Sequence, residues 1–141
     1  MSSGAVANMV LIDSNVWIFS ENSSADEYAV ARSAIEKYAS IEFNINAITI
    51  SETFHKLSKL IGKAESHKRV SHIMDDPNAV WVDITDTVAR GAIDLAFKAD
   101  MRINDALIAQ QALDIGVPVL TDNVRDFKKV KGLRIISLRG L

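Results

Sequence analysis

The chain has no cysteine at all among its 141 residues, and only two prolines, six glycines and three histidines. Without cysteine there is no disulfide framework, no zinc ribbon or finger, and no thiol nucleophile. The three histidines, His55, His67 and His72, lack ligand-spaced partners for a zinc site. No apolar run approaches the roughly 18 residues that a membrane span requires. A Gly-x-Gly-x-x-Gly run and a phosphate-loop lysine motif are both missing, so nothing marks a nucleotide cofactor. Serine–histidine catalysis has no nucleophile-elbow motif to support it. Residues 1–8 are small and polar, with no basic segment leading into a long apolar one, which argues against a secretory signal. They read as a flexible extension or a cloning remnant, and the chain as cytoplasmic.

What the sequence does contain is an ordinary globular composition, 48% apolar and 24% charged. That excludes wholesale disorder and fits a single domain, placed at residues 9–141, able to bury its own core. The net charge of −2 gives no overall pull toward nucleic acid. The charges are unevenly spread, however. Arg125, Lys128, Lys129, Lys131, Arg134 and Arg139 face only Asp126 in sequence, and Lys56, Lys59, Lys63, Lys68 and Arg69 face only Glu65. Each group reads either as a basic rim for a phosphate backbone or as solvated helix surface.

Short apolar runs at 10–12, 79–84, 117–120 and 134–138 read as strands, as does the alternating stretch 41–50. Helical spacing appears at 26–39, 51–62, 64–74, 85–99 and 105–115, with Gly62 and Gly116 as stops. Strands alternating with helices predict an α/β fold: a three-layer α/β/α sandwich around a central, mostly parallel sheet.

In such sheets ligands gather at the carboxyl ends of the strands. Asp13 directly follows the first apolar run, and Asp122 and Asn123 follow Val117–Thr121. Glu52 lies at the expected start of a helix after a strand, and Asp105 begins a helix in otherwise apolar company. Each acid has a plainer reading. Asp13 can cap the next helix, Glu52 and Asp105 can serve a helix dipole, and Asp122 or Asp126 can belong to a turn. Together they point to one edge of the sheet. Carboxylates crowded there repel one another unless a cation sits among them, and an all-oxygen set suits Mg2+ or Mn2+. The chemistry that such a site performs is phosphodiester hydrolysis. Trp17 and Phe19 could stack bases or pack in a core or dimer contact, and Trp81 reads as packing within its strand. His55, one turn from Glu52, is a further candidate for approaching substrate.

Four segments, Val10–Trp17, Ser51–Glu52, Asn104–Ala109 and Leu120–Phe127, resemble the motifs of PIN-domain ribonucleases, most similarly the VapC toxins of prokaryotic toxin–antitoxin pairs and their archaeal relatives. The resemblance implies a metal-dependent endoribonuclease acting on single-stranded or looped RNA. Asp13, Glu52 and Asp105 correspond to the three acids around the metal. Ser14 corresponds to the small hydroxyl residue after the first aspartate, and Thr121 to the hydroxyl residue opening the last motif.

The fourth acid is ambiguous. Many relatives carry it two residues after the threonine, where this chain has Asn123. Asp122 is one residue early, and Asp126 falls in the Asp-Phe pair. Asp126 is preferred, with Asn123 bonding a metal water or a carboxylate. Lys56, Arg125, Lys128, Lys129 and Lys131 would hold the RNA backbone. The resemblance further implies a homodimer and a small VapB-type antitoxin, whose arginine could pair bidentately with the carboxylates. Alternatives are a PIN domain in RNA processing, a DNA flap nuclease, a non-catalytic PIN domain, or a receiver-like α/β module. The receiver lacks paired acids after its first strand and a late Lys-Pro.

Overall fold

The structure, a computed structural model, describes residues 9–140; the reading of residues 1–8 as an extension lies outside them. Five short strands, β1 (Leu11–Ile12), β2 (Phe43–Ile45), β3 (Ala79–Trp81), β4 (Val119–Thr121) and β5 (Ile135–Ser137), form one sheet in the order β3-β2-β1-β4-β5. Every neighbouring pair is parallel, so the sheet is wholly rather than mostly parallel. Among the described residues, seven helices connect or flank the strands: α1 (Ser14–Glu21), α2 (Tyr28–Tyr38), α3 (Ala47–Ile61), α4 (Lys63–Met74), α5 (Asp86–Ala99), α6 (Ile103–Ile115) and α7 (Val124–Phe127). Among the described residues no helix is long and apolar enough to cross a membrane.

Strand alternation sorts the core into two layers, as the period of two requires. Val10 just before the central strand β1, Ile12 within it and Leu120 of β4 pack with Val16, Trp17, Ala31, Ile50, Leu57 and Val70 beneath α1 to α4. Leu11 and Val119 point the other way, into Ala92, Ala106, Ile108, Ala109, Ala112 and Phe127 beneath α5 to α7. On α6, Ala106, Ile108, Ala109 and Ala112 are all buried, and Asp105 in its first turn is buried with them.

Two expected elements change. The strand expected over 41–50 ends at Ile45, because Asn46 closes a capping box with Thr49: the Thr49 N–H donates to Asn46 Oδ1 at 2.9 Å and the Asn46 N–H to Thr49 Oγ1 at 3.3 Å. Helix α3 therefore starts at Ala47, not Ser51. Trp81, expected to pack, is 48% exposed at the end of the edge strand β3, which has a neighbour on one side only. Trp17, by contrast, is buried edge-on against Phe43, with ring centroids 5.3 Å apart, so its indole is not available for stacking bases.

Candidate active site at the carboxyl edge of the sheet

The central strand hands its direction directly to the first acid. The Asp13 N–H donates to the Leu120 carbonyl at 2.9 Å, extending the β1–β4 pairing by one residue and fixing where the carboxylate emerges. Asp13 is 3% exposed. It caps α1, its Oδ1 accepting from the Ser14 N–H at 2.8 Å, while Oδ2 accepts from Thr121 Oγ1 at 2.7 Å. Capping and a site role are therefore compatible, since each uses a different oxygen.

Thr121 is held just as firmly. Its carbonyl accepts from the Leu138 N–H at 2.9 Å, and its hydroxyl oxygen accepts from the Asn123 N–H at 2.8 Å. A hydroxyl that receives from Asn123 and donates to Asp13 has one orientation, which sets the carboxylate plane. Asn123 acts here through its backbone.

Glu52 reaches the same edge from α3. With α3 beginning at Ala47, Glu52 lies in the second turn, beyond the reach of the helix dipole, which fades within the first turn. Its Oε1 accepts from Ser14 Oγ at 3.1 Å and its Oε2 from Asn104 Nδ2 at 3.2 Å. Arg102 Nη2 stands 3.8 Å from the same Oε2. Ser14 thus bridges two acids, its N–H serving Asp13 and its hydroxyl Glu52.

Asp105 arrives from the first turn of α6, 6% exposed, and its Oδ2 is buried without a hydrogen-bond partner. Position in a first turn does favour an acid, but it leaves that oxygen unsatisfied. A buried network aligns the two helices: Asn46 Nδ2 donates to Gln111 Oε1 at 2.9 Å, and Gln111 Nε2 to the Asp83 carbonyl at 3.1 Å.

The electrostatics follow from this crowding. Burial pushes the Asp13 carboxyl up from 3.8 to about 6, with Asp105 and Glu52 adding to the rise and the Thr121 and Ser14 bonds opposing it. Burial likewise raises Asp105, with Glu52 and Asp126 pushing the same way and Arg102 and Lys56 against it. Asp13, Glu52 and Asp105 therefore feel one another across three separate elements. Among the described residues, no three acidic or histidine side chains are already closed around a single point. The donor set nonetheless fits a hard divalent ion. It is oxygen-only, it leaves a buried Asp105 oxygen unsatisfied, and Mg2+ needs only one or two carboxylates besides water and phosphate.

The two candidates for the fourth acid part company. Asp122 is taken by Arg139, whose Nε lies 2.7 Å from Oδ1 and whose Nη2 donates to Oδ2 at 2.9 Å; the same Nη2 donates to Glu27 Oε2 at 2.7 Å. Arg139 holds the Glu27 carboxyl below its usual range. Asp126, on α7, is partly exposed, 3.6 Å from Lys129 Nζ, and close enough to Asp105 to raise its proton affinity.

The basic residues divide as well. Lys56 lines a recess with Glu52, whereas Arg125, Lys128, Lys129 and Lys131 lie exposed on α7 and the segment after it. Arg134 donates to the Gly116 carbonyl at 2.7 Å, at the opposite edge of the sheet. Sequence reasoning passed over Arg102 and included Asn104 in a motif segment without giving it a role; both meet Glu52 only through the fold.

The PIN domain family profile matches residues 10–133. The chain belongs to the PIN domain family. Among curated proteins the sequence has no match. Solved structures share the fold at low identity. VapBC from Salmonella typhimurium bound to DNA aligns at 22% identity and a TM-score of 0.72, covering 92% of this chain and 98% of that one. VapBC2 from Rickettsia felis bound to a promoter DNA fragment gives 18% and 0.71, covering 92% and 98%. VapC20 of Mycobacterium tuberculosis, a sarcin–ricin loop cleaving toxin, gives 13% and 0.71, covering 78% and 86%. This PIN domain is thus VapC-like in fold.

Proposed function

We propose that this PIN domain is a divalent-metal-dependent endoribonuclease, the toxin of a VapBC-type toxin–antitoxin pair, cutting single-stranded or looped RNA. Family and fold support a toxin-type nuclease. The observation that carries the finer reading is the pair of buried acids, Asp13 and Asp105, facing Glu52 with an unsatisfied oxygen between elements. Such a set is costly to bury unless a cation completes it.

Asp13, Asp105 and Glu52 would hold Mg2+ or Mn2+. When bound, the ion supplies activation of a water and neutralisation of phosphate charge. Ser14 and Thr121 fix the carboxylates of Glu52 and Asp13, as outer partners of metal ligands do. Asn123 keeps the Thr121 hydroxyl turned toward Asp13. Asp126, rather than the Arg139-bound Asp122, is the fourth acid, placed to orient the attacking water and accept its proton. Lys56, with Arg125, Lys128, Lys129 and Lys131, supplies backbone contacts. A homodimer and a small VapB-type antitoxin blocking the acidic edge belong to the same reading.

The test is cleavage of a mixed pool of structured RNAs by purified protein in Mg2+ or Mn2+ against EDTA, with Asp13→Asn and Asp105→Asn alongside. Metal-dependent cutting lost in both variants is the expected result. Cutting that survives both removes the site assignment.

A further inference from the structure

Beside the acids lies an open recess of about 440 Å³ lined by Ser51, Glu52, His55, Lys56, Arg102 and Asn104. Its walls come from α3 and from the start of α6, the two elements that deliver Glu52 and Asp105. Glu52 is its only acid. That carboxylate accepts from Ser14 on one oxygen and from Asn104 on the other. Arg102 is 66% exposed in its side chain and touches Glu52 only at 3.8 Å. Lys56 has no ion-pair partner among the described residues.

Arg139, by contrast, is committed to Asp122 and Glu27. Lys56 lies one turn along α3 from Glu52, and Arg102 immediately precedes α6, whose first turn carries Asp105, so both cations flank the acids. A guanidinium and an ammonium converging on one open recess suit a phosphate, the guanidinium by its fork of donors and the ammonium as a point charge.

Resting on the ribonuclease reading above, we propose that the α3–α6 recess is the subsite for the RNA phosphate next to the scissile one, with Lys56 and Arg102 as its binding residues. The strand then leaves the acids over α3 and α6, and the basic segment after α7 contributes less than its sequence suggests. His55, on the same wall, faces the sugar or base of that nucleotide.

The experiment compares two charge-removing pairs in the full chain, Lys56→Gln with Arg102→Gln and Lys128→Gln with Lys131→Gln. Cleavage kinetics in Mg2+ or Mn2+ use an RNA that the parent cuts, and fluorescence anisotropy follows a labelled single-stranded RNA at several salt concentrations. All four side chains are exposed, and thermal melting verifies that both double variants fold. The recess pair is expected to raise KM and the RNA Kd about ten-fold or more with kcat changed little. The salt slope should fall by about 0.7 for each phosphate that is no longer neutralised. The charge-keeping pair Lys56→Arg with Arg102→Lys should recover part of the affinity, and the pair after α7 should weaken binding by less than the recess pair does.

If the parent cuts RNA and the recess pair is silent, or no worse than the other pair, the subsite is wrong and the ribonuclease reading stands. If the parent neither cuts nor binds any RNA with metal present, the ribonuclease reading has failed and the subsite falls with it.

Discussion

Replacing Asp13 by asparagine tests the central electrostatic claim independently of any substrate. In the metal-free protein the Asp13 carboxyl is raised from 3.8 to about 6, chiefly by burial. A folded-state value above the unfolded one means that the folded chain holds the proton more tightly. Between those two values the unfolded state binds fewer protons, so stability falls as pH rises, and the loss is complete above about pH 6. A shift of roughly two units corresponds to about 3 kcal/mol. Between about pH 4.5 and pH 7.5 the part still to be lost is about 2 kcal/mol by the same linkage.

Asparagine keeps the shape and cannot ionise, so its chain should escape this loss. It does disturb the Thr121 hydrogen bond, but that cost is independent of pH and cancels when the two pH values are compared. Urea denaturation in EDTA, with parent and variant at both pH values, gives the double difference. The variant should gain about 2 kcal/mol on the parent between the lower and the higher pH, or roughly 6–8 °C in Tm for a domain of this size. Adding Mg2+ or Mn2+ at pH 7.5 should narrow the gap, since a ligand at a hundred times its Kd stabilises by about 2.7 kcal/mol. An unchanged difference between variant and parent at the two pH values would falsify the claim that Asp13 is ionised at a cost to the fold.

Other substitutions separate chemistry from support. Thr121→Val removes the 2.7 Å bond to Asp13 and the acceptor for the Asn123 N–H, and should lower kcat about ten- to a hundred-fold while costing about 1–3 kcal/mol in urea. Asp126→Asn should lose about ten-fold or more in cleavage with stability unchanged. Asp122→Asn, by contrast, should retain cleavage but release Arg139, read as faster amide exchange at the chain end after β5. If Asp122→Asn abolishes cutting and Asp126→Asn does not, the fourth-acid assignment is reversed. Gln111→Leu strands Asn46 Nδ2 and the Asp83 carbonyl, and should cost about 1–3 kcal/mol by urea denaturation. A variant as stable as the parent would show that the network does not hold α3 against α6.

The sequence by itself determined the alternation of strands and helices, and with it the placing of Asp13 and Thr121 at the carboxyl ends of two strands. Both follow from local rules: periodicity picks the elements, and a strand's last residue is known once its apolar run ends. Asp105 was legible for a similar reason, a lone acid opening an apolar helix. The onset of α3 was misplaced because Asn46 and Thr49 form a side-chain cap that overrides the strand-like alternation of 41–50, and Glu52 moved from a first turn to a second.

What tertiary structure alone decided were the pairings between distant residues. Arg139 neutralises Asp122 and Glu27, turning an apparent basic tail into a clamp and leaving Asp126 as the acid whose charge acts on Asp105. Arg102 and Asn104 come to Glu52 because α6 packs beside α3, where Asn46 also bonds Gln111. Charge and hydrogen bonding act over a few ångströms of space rather than along the chain, so a residue's partners, and hence its role, are fixed when the helices pack.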